Sequence, residues 1–154
     1  MSSDVRVPHS IYGRPIEILL VEDNSDEASL TMETLKEGRV RNNITLLEDG
    51  VEAITFLRRE GRYANACRPD LILLDLKLPR KNGREVLGEI KGDNDLKRIP
   101  VVILTASQAE EDILKAYNLY ANCYIVKSID FDDFMKAINA IKHFWLNIVK
   151  LPEE

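Results

Sequence analysis

Four short apolar runs, each ending abruptly on a polar or charged side chain, constrain this chain more than any other feature. Leu71-Ile72-Leu73-Leu74 runs into Asp75, and Ile16-Glu17-Ile18-Leu19-Leu20-Val21 runs into Glu22-Asp23. Val101-Val102-Ile103-Leu104 runs into Thr105, and Cys123-Tyr124-Ile125-Val126 into Lys127. Runs of this length, rich in branched residues and bounded by turn formers such as Pro69-Asp70 and Pro79, predict strands buried on both faces of a parallel sheet. In open α/β sheets, ligands bind beyond the carboxyl ends of the strands. One edge of one sheet would therefore receive Glu22, Asp23, Asp75, Thr105 and Lys127.

The stretches between the runs read as helices. Asn24 or Ser25 can cap a helix with Ala28, Thr31, Met32 and Leu35 on its apolar face, ended by Gly38. Asn43 to Leu47 is a weaker second strand, and Asp49-Gly50-Val51-Glu52 has the spacing of a capping box before Ala53, Phe56 and Leu57. Gly61 to Arg68 reads as a loop, Asn82-Gly83 as a turn before a helix carrying Val86, Leu87 and Ile90, and Gly92 to Ile99 as a polar loop. Ser107-Gln108-Ala109-Glu110 opens a fourth helix with Ile113, Ala116, Tyr117 and Tyr120 on one face. Asp130 can cap a fifth, running through Phe131 and Phe134 to Trp145 and ending near Val149.

Five strand–helix units in strict alternation, joined by short connections and right-handed crossovers, predict a doubly wound five-stranded parallel sheet. Residues 1–15 are expected to be a flexible lead-in, 16–150 one domain and 151–154 a short tail. A length of 154 residues suits a single core. The net charge of −5, from 26 acids and 21 bases without a long basic run, argues against a nucleic-acid surface. Cys67 and Cys123 have no paired spacing and read as reduced thiols. No apolar run is long enough to span a bilayer, so a cytoplasmic protein is expected.

Three carboxylates near one point repel each other unless a cation joins them, and magnesium suits hard oxygen ligands of this kind. Glu22-Asp23 alone could equally be a solvated turn with a helix-capping acid. A hydroxyl and an ammonium at the same edge add the parts needed to hold a phosphoryl group while Asp75 attacks it.

These residues resemble the receiver domains of two-component response regulators, the CheY-like family. The resemblance rests on Val21-Glu22-Asp23-Asn24, Leu73-Leu74-Asp75-Leu76-Lys77-Leu78-Pro79, Asn82-Gly83, Leu104-Thr105-Ala106 and Lys127, in the family's order over nearly the whole chain. It implies a flavodoxin-like (βα)5 fold with strand order 2-1-3-4-5. It also implies Asp75 as phosphoacceptor and Mg2+ held by Glu22, Asp23, Asp75 and the Lys77 carbonyl. Thr105 and Tyr124 would be switch residues and Lys127 the phosphate partner. Ser128 stands where receivers usually carry a proline, and Lys77 and Ser107 sit where the family tunes the acyl-phosphate lifetime. A finer resemblance links the chain to stand-alone regulators partnered with cyanobacterial phytochrome kinases. It rests on Arg58 to Tyr63, Ala106 to Asp112, Tyr124 to Ser128 and His143-Phe144-Trp145-Leu146. The chain would then be a phosphoacceptor rather than an enzyme, its partner a sensor histidine kinase.

After Lys127 there is room only for the last helix and a tail, so output is expected through surface binding. A homodimer through the fourth and fifth helices, with Tyr117, Tyr120 and Phe144 in contact, is the expected arrangement. The alternatives differ in chemistry. A flavodoxin-type FMN protein would need a hydroxyl- and glycine-rich loop where Glu22-Asp23 stand, and a haloacid-dehalogenase-type phosphatase a second acid where Lys77 stands. A pseudo-receiver would keep the fold as an interaction module without phosphorylation.

Overall fold

The computed structural model describes residues 15–37, 41–105 and 123–126, together with positions 109, 114, 115, 121, 132, 136 and 140. Expectations for the N-terminal lead-in, Lys127, Ser128 and the contact residues Tyr117, Tyr120 and Phe144 lie outside these residues, as do Ser107 and Asp130. The strands are β1 (Ile16–Val21), β2 (Asn42–Leu47), β3 (Leu71–Asp75), β4 (Val101–Thr105) and β5 (Cys123–Val126). Three described helices alternate with them: α1 (Ser25–Lys36), α2 (Gly50–Leu57) and α3 (Gly83–Lys91). All strand pairs are parallel, and the order is β2-β1-β3-β4-β5. The doubly wound sheet expected from the sequence is the sheet that forms.

Strand alternation divides the apolar residues between two cores. Leu19, Val21, Ile72, Leu74, Val101 and Ile103 point to the face covered by α2 and α3, where they meet Phe56, Leu57, Val86, Leu87 and Ile90. Ile18, Leu20, Leu71, Leu73, Val102 and Leu104 point to the opposite face and meet Ala28 and Leu35 of α1. Both faces are buried, which is why β1, β3 and β4 read as continuous apolar runs rather than alternating ones. Each fully buried Leu or Ile contributes roughly 1.5–3 kcal/mol relative to an exposed one.

The helix starts follow capping chemistry. Asn24 accepts from the Glu27 N–H at 3.0 Å, and Thr31 is buried on the apolar face of α1. At α2 only half of the expected capping box forms: Asp49 accepts from the Glu52 N–H at 2.7 Å, while the Glu52 carboxylate turns to Arg62 and the Tyr63 hydroxyl. Asn82-Gly83 is not a free turn but the entry of α3. Asn82 accepts from the Glu85 N–H and Glu85 returns the bond to the Asn82 N–H, both at 3.0 Å. The two stretches read as loops each contain a 3-10 turn, Gly61–Tyr63 and Leu96–Arg98. No helix among the described residues is long and apolar enough to cross a membrane.

Candidate functional site

Strand register brings the acids together. Val21 of β1 pairs with Leu74 of β3, so the next residues along, Glu22 and Asp75, emerge side by side. Carboxylate oxygens of Glu22, Asp23 and Asp75 all lie within 4.8 Å of one another. Glu22 is only 2 % exposed and Asp75 only 6 %, whereas Asp23 faces solvent. A carboxylate at the end of an apolar strand is expected to meet water, and Asp75 does not. It is instead sunk beneath the loop that follows it, because that loop folds back over the strand end.

The loop's return is visible in its hydrogen bonds. Leu76 donates its N–H to the Leu104 carbonyl at 3.4 Å, and Gly83 donates to the Leu76 carbonyl at 2.8 Å. The Lys77 N–H reaches Asp75 Oδ1 at 3.3 Å. A Cβ on Gly83 would lie 2.3 Å from the Asp75 carbonyl oxygen, so only glycine lets α3 start this close to the strand. Leu76, Lys77, Leu78 and Pro79, with Asp23, Asn82, Arg84 and Leu114, line a groove of about 600 Å3 beside the acids. This is the size of an ordinary ligand cleft.

Thr105 closes β4 one residue beyond Leu104, the register partner of Asp75, so its backbone arrives at the same edge. Tyr124 lies within β5, paired with Ile103. Lys127, the expected cation, lies outside the described residues. Sequence reasoning missed the side-chain ties of the loop itself. Arg80 grips Asp49, and Lys81 pairs with Glu89, which Arg58 of the α2 C-cap also reaches at 3.2 Å. Burial pulls the Asp49 carboxyl upward, but the Glu52 N–H and the Arg80 guanidinium outweigh it and hold the group below its ordinary range. Nothing in hydrophobic periodicity signals such charge pairs, which lie 8 to 31 residues apart.

Three carboxylates this close favour a hard cation with oxygen ligands among them. Such a set at the carboxyl edge of a parallel sheet has a known counterpart: residues 18–139 match the response regulator receiver domain. The chain belongs to the response regulator receiver family. Receivers accept phosphoryl groups in two-component signalling, and the FMN and phosphatase readings fall away with that assignment. Response regulator Rcp1 of Synechocystis sp. is 49% identical to this receiver over 138 residues, 90% of this chain and 94% of its own. A crystal structure of the phosphorylated cyanobacterial phytochrome response regulator RcpA has a TM-score of 0.84 and 49% identity, covering 91% of this chain and all of its own. The Mn2+-bound form of Rcp1 superposes with the same TM-score of 0.84, at 49% identity, covering 90% of this receiver and all of itself.

Proposed function

We propose that this receiver takes a phosphoryl group from a phosphohistidine of a sensor histidine kinase onto Asp75. A carboxylate oxygen of Asp75 attacks phosphorus, the P–N bond breaks, and its electron pair stays with the departing imidazole. Glu22, Asp23, Asp75 and the Lys77 carbonyl are the oxygen donors that would hold Mg2+. That ion, when bound, supplies positive charge against the phosphoryl oxygens. Thr105 and Lys127 would each hold one phosphoryl oxygen, and Tyr124 would turn with the switch. The carboxylate oxygens of Glu22, Asp23 and Asp75 within 4.8 Å carry this reading. They also speak against a pseudo-receiver, because an interaction module has no use for mutual repulsion at a strand edge.

The kinase we infer is a phytochrome, supported by 49% identity to RcpA, a cyanobacterial phytochrome response regulator. Residues 16–150 would form the receiver as one cytoplasmic domain that accepts a phosphoryl group and is not otherwise an enzyme. A second copy would dock through the fourth and fifth helices, with Tyr117, Tyr120 and Phe144 at the contact. Equilibrium sedimentation at micromolar concentration tests this: a monomer in both phosphorylation states refutes the dimer.

Intact mass after incubation with acetyl phosphate and Mg2+ tests the central reading. Wild type is expected to gain one phosphoryl group that a chelator prevents, and Asp75→Asn to gain none. No gain in wild type would return the protein to the pseudo-receiver class.

A further inference from the structure

The loop between β3 and α3 contains a residue in an unfavourable conformation. Arg80 has φ +65°, the left-handed region, although it is not glycine. Lys81 donates its N–H to the Pro79 carbonyl at 2.7 Å across it, closing a three-residue turn of the rare, strained, positive-φ kind. Glycine would make this turn without steric cost, and Asn or Asp tolerates it better than arginine. The backbone therefore gives no reason for arginine; the side chain does.

Its guanidinium places both Nε and Nη2 on Asp49 Oδ2, at 3.2 and 2.9 Å. The other oxygen, Oδ1, is already committed to the Glu52 N–H at the start of α2. Asn, Ser or Asp would cap α2 about equally well, so the acid at position 49 is likewise explained by its partner rather than by its helix. The Gly50 N–H adds a bond to the Pro79 carbonyl at 3.4 Å, and a Cβ there would lie 1.8 Å from the Lys81 carbonyl oxygen. The loop is pressed against the α2 N-terminus on this side and tied to the strand end through Gly83 and Leu76 on the other.

The Arg80 side chain is 57% exposed, and an ion pair of that kind contributes little to global stability. What the pair can set is the path of the short segment between Asp75 and Arg80, which carries the Lys77 carbonyl. We propose that Arg80 and Asp49 are positioning residues: their clamp holds the strained turn, and the turn holds the Lys77 carbonyl and the Asp75 carboxylate in register for the cation. The inference rests on the metal role given above to the acidic site. Outer partners of metal ligands typically change affinity by 10–100-fold when removed.

The test uses the intact chain and Mn2+ alone, with free Mn2+ read by electron paramagnetic resonance. Wild type, Asp49→Asn, Arg80→Gly, Arg80→Lys and Asp75→Asn are compared, along with amide exchange of residues 76–82 in metal-free protein. Asp49→Asn keeps the cap, and Arg80→Gly relieves the strain, so neither variant is expected to unfold. Both should bind Mn2+ roughly tenfold more weakly and exchange the loop amides faster, with the metal-free melting midpoint nearly unchanged. Arg80→Lys, lacking the fork, should fall between. Affinities within twofold of wild type, or a weakening matched by a large fall in melting midpoint, would overturn the proposal. If wild type fails to bind Mn2+, or Asp75→Asn binds as tightly, the metal reading fails instead. Loop exchange then decides alone: unchanged rates in Asp49→Asn mean that no clamp exists.

Discussion

Strand β3 has an aspartate at each end, Asp70 just before it and Asp75 as its last residue, and the two are almost equally buried, at 8 % and 6 %. At the amino end, Asp70 exchanges hydrogen bonds with Glu17: its N–H donates to the Glu17 carbonyl at 2.7 Å, and its carboxylate accepts the Glu17 N–H at 2.9 Å. At the carboxyl end, Asp75 receives a long 3.3 Å bond from the Lys77 N–H and faces two further carboxylates. One aspartate completes the structure around it; the other is crowded by like charge. Burial alone therefore does not separate the two acids; their neighbours do, a backbone N–H at one end and two carboxylates at the other.

Substitution should separate the two ends. Asp75→Asn is expected to abolish phosphoryl uptake, read by intact mass. It should also stabilise the metal-free fold by ~1 kcal/mol, because one of three repelling charges is gone; a destabilised variant in denaturant titration would contradict the crowding argument. Asp70→Ala should do the reverse, costing about 1–3 kcal/mol by leaving the Glu17 N–H without its partner, with phosphoryl uptake kept at the wild-type stoichiometry. Lys77→Ala should change the acyl-phosphate lifetime several-fold with little effect on stability, and an unchanged decay of the phosphorylated mass would remove Lys77 from the site's chemistry.

The smallest effect expected is a pH dependence away from both ends, in the segment after α3. Asp93 is held below the ordinary carboxyl range by the N–H groups of Leu96 and Asp95, which its Oδ1 accepts at 3.0 and 2.8 Å. Its contribution is complete above the unfolded pKa of about 4 and is lost as pH falls through the lower folded value. Asp93→Asn should therefore flatten the melting midpoint slightly between pH 5 and pH 2, with no change in phosphoryl uptake.

Much of this arrangement is legible in the sequence. Continuous apolar runs in β1, β3 and β4 specify a sheet covered on both faces, and the acids at their ends mark the carboxyl edge. The cap at Asn24 and the apolar stripe of α3 are equally local signals. Asn82-Gly83 reads as a turn because a turn signal and a helix entry use the same residue types, and only the Glu85 side chain folding back distinguishes them. Asp75's burial and the Arg80–Asp49 pair were invisible for another reason: both depend on how a loop returns across the strand end, which no periodic pattern encodes.

Gly50 and Gly83 define the site by what they leave out. Each stands where a single methyl group would collide with backbone, at 1.8 Å from the Lys81 oxygen and 2.3 Å from the Asp75 oxygen. In evolutionary terms these positions work as a lock: a single alanine at either glycine forces the loop onto a new path. A relative that has lost both glycines while keeping all three acids must have rerouted its loop.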